Sequence, residues 1–161
     1  EMTHGFDDTG HLLDLNGDEK DWWDPATFAE FDRRADCLKA QYSRYGAGYA
    51  LYDGGRVNGN ATLGENIADE GGMRFAYAAF SRMVPMTRHN APEHRTFFTA
   101  FAQNWCEVDL KRSAKDSLKS DEHSPAKYRV LGVLSNFPPF SRAFNCRPGS
   151  RMNPVSKCEL W

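Results

Sequence analysis

The chain has 161 residues, 40% of them apolar and 13% aromatic, which is enough for one domain-sized hydrophobic core. Its formal net charge is −2, and acidic and basic residues are interspersed along the chain, so the concentrated basic face of a nucleic-acid-binding protein is excluded. No apolar run approaches the ~18 residues that a membrane-spanning helix needs.

Helical periodicity dominates the sequence and predicts a mostly α fold. Residues 1–8 resemble the end of a helix, and residues 9–24 a loop with turn signals at 14–18. Further helices are predicted over about 25–45, 62–83, 97–108, 125–134 and 139–144. The stripe of the first of these contains Phe28, Phe31, Ala35, Leu38 and Tyr42. Ser124 is predicted to cap the helix that has Pro125 in its first turn.

Two short motifs contain candidate metal ligands. Glu1 and His4 have the spacing of the second half of a helical H-E-x-x-H zinc motif, in which the glutamate is the general base. Glu65 and Asp69 are four residues apart, so they share one face of a predicted helix. Glu65 and His4 can therefore coordinate one metal ion, and Asp69 is placed to accept a hydrogen bond from a ligating histidine. Taken alone, each motif is more typical of a solvated helix face.

Five motifs, in order, resemble the neprilysin and endothelin-converting-enzyme family (M13) of zinc endopeptidases. They are His4-Gly5-Phe6-Asp7-Asp8-Thr9-Gly10, Asp21-Trp22-Trp23, Leu63-Gly64-Glu65-Asn66-Ile67-Ala68-Asp69, His123-Ser124-Pro125 with Arg129, and Cys158-Glu159-Leu160-Trp161. The resemblance covers essentially the whole chain. It implies that residues 1–161 are the C-terminal part of a thermolysin-like catalytic domain, cut inside the H-E-x-x-H helix.

The resemblance implies that His4 and Glu65 bind one catalytic Zn²⁺ ion and that Glu1 is the general base for its water. The first zinc histidine would stand directly before Glu1. Since two protein ligands leave weak, exchangeable binding, this chain by itself is expected to bind zinc weakly and to hydrolyse no peptide detectably. The parent is expected to cut internal bonds of mostly short peptides, before a hydrophobic residue.

Four other residues have roles implied by the resemblance. His123 stabilises the oxyanion, and Arg129 fixes a substrate carbonyl. Asp69 and Asp7 hydrogen-bond the ligating histidines, Asp69 the absent one and Asp7 His4. For Asp7, capping of the helix end is the competing interpretation. Two other functions stay open: a non-catalytic binding or scaffolding homologue, and an unrelated helical domain.

The four cysteines lack C-x-x-C spacing, which disfavours a structural zinc site and leaves three complete pairings open. The resemblance implies a bond between Cys37 and Cys158. It also implies that Cys106 and Cys146 pair with cysteines in a missing N-terminal part of the same protein. Such bonds require an oxidising compartment, so the parent is expected to be extracellular or at the cell surface, as a membrane-anchored ectodomain or a secreted protein.

The chain departs from the family pattern at Glu70, where asparagine is more usual. This change affects no ligand and is not expected to abolish activity. Asn60 begins a glycosylation sequon directly before the helix that contains Glu65, where a sugar would need room.

Overall fold

A computed structural model of the chain describes residues 2–87 and 91–160. In these ranges it contains six α-helices: α1 (Pro25–Tyr42), α2 (Leu63–Met83), α3 (Ala91–Gln103), α4 (Lys111–Ser120), α5 (Ala126–Asn136) and α6 (Pro138–Ala143). Short 3-10 helices occur at Met2–Phe6, Gly10–Leu12 and Ala50–Tyr52. Within the same ranges, β structure is limited to two isolated bridges. The predicted mostly α fold is confirmed, and no helix of the described part has the length and apolarity to cross a membrane.

Helix α1 begins where local chemistry predicts it. Asp24 accepts hydrogen bonds from the backbone N–H groups of Ala26 and Thr27, and Pro25 occupies the first turn. The predicted extension to residue 45 is wrong, because the chain leaves the helix in tight turns after Tyr42 and Gly46 adopts a positive φ of 95°. Phe28 was assigned to the buried stripe but is 48% exposed.

The segment between α3 and α4 also differs from the prediction. The aromatic period that begins in α3 does not continue to residue 108, since α3 ends at Gln103 and Val108 is fully exposed. Helix α4 was not predicted, because its residues are mostly lysine, serine and other polar types and Ala114 alone is buried. A helix with one buried residue has no apolar period to detect.

Helix α2 is the central element and belongs to two hydrophobic clusters. Its first half contributes Leu63 and Ile67 to a cluster with α1 and the C-terminal segment. Its second half contributes Met73 and Tyr77 to a cluster with α3, α5 and α6. Packing on both halves fixes the rotation of α2 and hence the direction of its polar face.

A buried polar network lies on the face of α2 that packs against α1 and α5. Asn136 Nδ2 donates to Glu70 Oε1 at 2.6 Å and to Gln41 Oε1 at 2.8 Å, and its own Oδ1 accepts from the backbone N–H of Cys158 at 3.1 Å. Burial raises the pKa of Glu70 to about 8, although the hydrogen bond from Asn136 opposes the shift. Glu70 is therefore mostly protonated and neutral at pH 7.

Cys37 of α1 and Cys158 of the C-terminal segment form a disulfide bond across 121 residues, as the family resemblance implies. Cys106 is exposed and Cys146 is partly buried, and both are free thiols in this structure. The bond ties α1 to the last residues of the chain, beside the buried polar network.

Candidate metal centre

The polar face of α2 presents Glu65 and Asp69 one turn apart, with side chains that are 18% and 9% exposed. The turn Met2–Phe6, predicted to be an α-helix end, is a 3-10 helix instead, the tighter form that short segments adopt. It packs closely on α2, because a Cβ atom at Gly71 would collide with the side chain of Thr3. A Cβ atom at Gly64 would lie only 3.1 Å from a carboxylate oxygen of Asp7.

His4 is oriented toward Glu65 by Asp7. Its Nδ1 donates to Asp7 Oδ2 at 2.7 Å, which leaves Nε2 pointing at Glu65 Oε1, 3.5 Å away. The other oxygen of Asp7 accepts from the backbone N–H groups of Thr9 and Gly10 at 2.9 and 2.7 Å. The two interpretations of Asp7 are thus compatible, because one oxygen orients the histidine and the other caps the next turn.

The charge state of Asp7 favours this arrangement. Burial raises the pKa of Asp7, but the hydrogen bonds from Gly10, His4 and Thr9 outweigh it and hold the pKa below its usual value. An ionised Asp7 accepts a hydrogen bond from the Nδ1–H of His4 and so fixes the tautomer in which the Nε2 lone pair is available to a metal ion.

The positions of His4 and Glu65 fit a zinc ion. Zinc bonds to nitrogen and oxygen of about 2.0–2.2 Å at a tetrahedral angle separate the two donors by about 3.4 Å. The observed separation of His4 Nε2 and Glu65 Oε1 is 3.5 Å. This distance is longer than a good hydrogen bond and close to the separation expected for two zinc-bound donor atoms. The donor pair, an imidazole and a carboxylate, is also one that zinc prefers. Glu1, the predicted general base, lies outside the described residues.

His123 approaches Glu65 from the loop before α5. Asp121 Oδ1 accepts from the backbone N–H of His123 at 2.9 Å and from its Nδ1 at 2.8 Å, and His123 Nε2 lies 3.2 Å from Glu65 Oε2. The next residue, Ser124, does not cap α5 as predicted. Its hydroxyl donates to Asn66 Oδ1 at 2.8 Å, a buried bond that fastens the loop to α2.

Arg129 pairs with Asp69. Its Nε and Nη2 donate to the two carboxylate oxygens at 2.6 and 2.7 Å, its Nη2 lies 3.5 Å from Glu65 Oε2, and the guanidinium stacks 4.1 Å from the ring centre of Trp105. Asp69 was expected to orient a histidine, and here both its oxygens bind arginine. The substrate role of Arg129 stays a prediction.

His123 and Arg129 face the same cleft, a cavity of about 180 Å³ whose walls also include Trp105, Tyr52 and Glu107. An oxyanion donor and a carbonyl clamp act on one substrate, so this shared cleft is the placement that their predicted roles require.

Sequence reasoning missed three residues that shape the site: Asp121, Asn66 and Trp105. Asp121 stands two residues before His123. An aspartate side chain commonly accepts a hydrogen bond from the backbone N–H two residues further on, so the sequence did contain a signal for this contact. Asn66 is adjacent to Glu65, but its partner Ser124 is 58 residues away. Nothing local in the sequence indicates that pair.

Comparison with known proteins identifies the family. The family model described as "Peptidase family M13" matches residues 1–160. The chain belongs to peptidase family M13. It is 44% identical to an endothelin-converting enzyme homolog of Locusta migratoria and 43% identical to human endothelin-converting enzyme 1, in each case over 100% of this chain. The crystal structure of the Mycobacterium tuberculosis zinc metalloprotease Zmp1 in complex with an inhibitor is similar over 100% of this chain and 26% of that chain, with a TM-score of 0.85 and 32% sequence identity.

This M13 chain covers only part of its relatives. It spans 22% of the locust protein and 21% of the human enzyme. The helical fold agrees with the likeness to the M13 zinc peptidase structure, so the predicted fold class is confirmed.

Proposed function

We propose that this chain supplies part of the catalytic site of a zinc-dependent endopeptidase that hydrolyses internal bonds of short peptides. The observation that carries the proposal is the convergence of His4 Nε2 and Glu65 Oε1 at the spacing of two zinc ligands, in a chain of peptidase family M13. His123 and Arg129 beside them, in one cleft, support it.

His4 and Glu65 would hold the zinc ion, and a catalytic zinc site needs a third protein ligand. The proposal includes as that ligand the histidine that an H-E-x-x-H motif has directly before its glutamate, here Glu1. A bound zinc ion supplies an activated water and polarises the substrate carbonyl.

Each side chain has a separate task in this proposal. Glu1 accepts the proton of the attacking water and passes it to the leaving amine. His123, with both ring nitrogens protonated, donates from Nε2 to the oxygen that becomes negative and from Nδ1 to Asp121, which holds the ring. Arg129, aligned by Asp69, donates to a substrate carbonyl next to the cut bond. A hydrophobic residue on the amine side of the cut is the proposed preference.

The proposed setting is outside the cell or at its surface. The bond between Cys37 and Cys158 supports this, because disulfide bonds persist in oxidising compartments. Cys106 and Cys146 are proposed to bond to cysteines of the same protein beyond this chain, which would also tie this part of the catalytic domain to the rest.

The test uses the full-length protein that contains this chain and measures zinc content and hydrolysis of a fluorogenic peptide. Glu65→Ala is expected to lose both zinc and activity, whereas Glu1→Gln should keep zinc and lose activity by roughly 10²–10⁴-fold through loss of the base. Glu107→Gln removes a carboxylate from the same cleft without touching these roles and serves as the matched control.

Two results would contradict the proposal. Full zinc content in Glu65→Ala would show that Glu65 is not a ligand. A wild-type protein that holds zinc but cleaves no peptide would favour the non-catalytic homologue.

A further inference from the structure

Glu65 lies between two imidazoles that are held in the same way. On one side, Nδ1 of His4 donates a hydrogen bond to Asp7, and Nε2 of His4 lies 3.5 Å from Oε1 of Glu65. On the other side His123 has its Nδ1 on Asp121 and its Nε2 toward Oε2 of Glu65, at 3.2 Å. A carboxylate that accepts from Nδ1, with Nε2 facing the ligand position, is the arrangement that orients histidine ligands in metal sites.

A third ligand stands on the His123 side. Glu65, Glu122 and His123 offer ligand atoms that all lie within 4.8 Å of one another, and His4 is outside this group. Two carboxylates and one imidazole are a sufficient protein ligand set for zinc, with water in the fourth position. The geometry thus gives two candidate metal-binding places, one at each oxygen of the Glu65 carboxylate.

The charges around the second place favour a cation. Glu65, Glu122 and Asp121 are carboxylates on or behind its ligands, and Arg129 is the opposing positive group, with Nη2 at 3.5 Å from Glu65 Oε2. The Arg129 charge is largely matched, because both oxygens of Asp69 bind it.

We propose that His123 Nε2, Glu122 and Oε2 of Glu65 form a second, weaker zinc site, in which the Glu65 carboxylate bridges to the ion held by His4. Metal ions in two-metal sites are typically about 3.5–4 Å apart, a distance that one bridging carboxylate spans. The site is weaker because Glu122 is exposed and must be ordered on binding.

Occupation of this site inhibits the enzyme. A zinc ion on His123 Nε2 stands where the N–H must be that donates to the oxyanion, so the two uses of this nitrogen exclude each other. Excess zinc should therefore suppress turnover while the first ion stays bound. This consequence rests on the proposed peptidase function, whereas the site itself does not.

The binding test is equilibrium dialysis of the full-length protein against increasing zinc chloride, with bound zinc measured by atomic emission. The wild type is expected to take up a first ion and then a second. Glu122→Gln should keep the first and require at least about tenfold more zinc for the second, because loss of even an indirect partner of a metal site costs about 10–100-fold in affinity. Glu107→Gln, the same change elsewhere in the cleft, should bind like the wild type.

Uptake of one ion only, or a second ion bound equally by wild type and Glu122→Gln, overturns the second site. The same samples are assayed for peptide hydrolysis. In Glu122→Gln, activity at low zinc should be unchanged and half-inhibition should shift by the same factor as the second binding step. If wild type and Glu122→Gln are half-inhibited at the same zinc concentration, the inhibitory role of the second site is overturned. Absence of hydrolysis in a protein whose second ion depends on Glu122 refutes the proposed peptidase function but supports the site.

Discussion

Replacement of Glu70 by glutamine is expected to stabilise the protein, and increasingly so as the pH rises from about 5 to 8. Glu70 is buried against Asn136, and burial raises its pKa from 4.5 to about 8. Between these two pH values the folded state holds a proton that the unfolded state has released. The free energy of unfolding therefore falls with rising pH across this window. Glutamine keeps the hydrogen bond from Asn136 and has no proton to lose.

The magnitude follows from the width of the window. Each pH unit between the two pKa values costs about 1.4 kcal/mol, so Glu70 lowers the free energy of unfolding by about 2–3 kcal/mol between pH ~5 and ~7. The stabilisation is fully present below the unfolded-state pKa and is lost as the pH passes the folded-state value. At pH ~7 the free energy of unfolding of the Glu70→Gln variant should therefore exceed that of the wild type by a similar amount.

Urea unfolding, followed by helical circular dichroism at several pH values, measures the effect. Glu107→Gln is the matched control, since Glu107 is exposed and the substitution is the same. The difference between wild type and Glu70→Gln should grow with pH, whereas the difference between wild type and Glu107→Gln should stay small. Parallel pH profiles for wild type and Glu70→Gln would refute the assignment of a neutral, buried Glu70.

Two further changes test the packing. Reduction of the Cys37–Cys158 bond removes a constraint across 121 residues and should lower the free energy of unfolding. Loop entropy predicts a loss of about 5 kcal/mol, and disulfide bonds in other proteins typically contribute about 2–4 kcal/mol. Urea unfolding with and without reductant measures the loss, and an unchanged midpoint would contradict the prediction. Gly132→Ala places a methyl group against the hydroxyl of Tyr42 and should cost about 1–3 kcal/mol, while Gly72→Ala, also in a helix but with open space, should be neutral or stabilising. Equal thermal midpoints for these two alanine variants would show that the Tyr42 contact is not tight.

The sequence by itself determined the features that depend on near neighbours. The bounds of α2 were predicted to within one residue, because Pro85 stands two residues after the last helical residue and cannot continue a helix. The pair Asp24-Pro25 likewise marks the start of α1. Spacing alone placed Glu65 and Asp69 on one face of a helix. The motif around His4 likewise predicted Asp7 as its neighbour, and the two side chains are in contact.

Tertiary structure decided the polar pairs between distant segments that neither local spacing nor the family resemblance indicated. Asp69 binds Arg129, 60 residues further on, and Ser124 binds Asn66 instead of capping α5. Local patterns cannot register such pairs, because each partner alone resembles an ordinary polar surface residue. The position of His123 opposite Glu65 arises in the same way, since a loop is brought there only when α2 and α5 pack together.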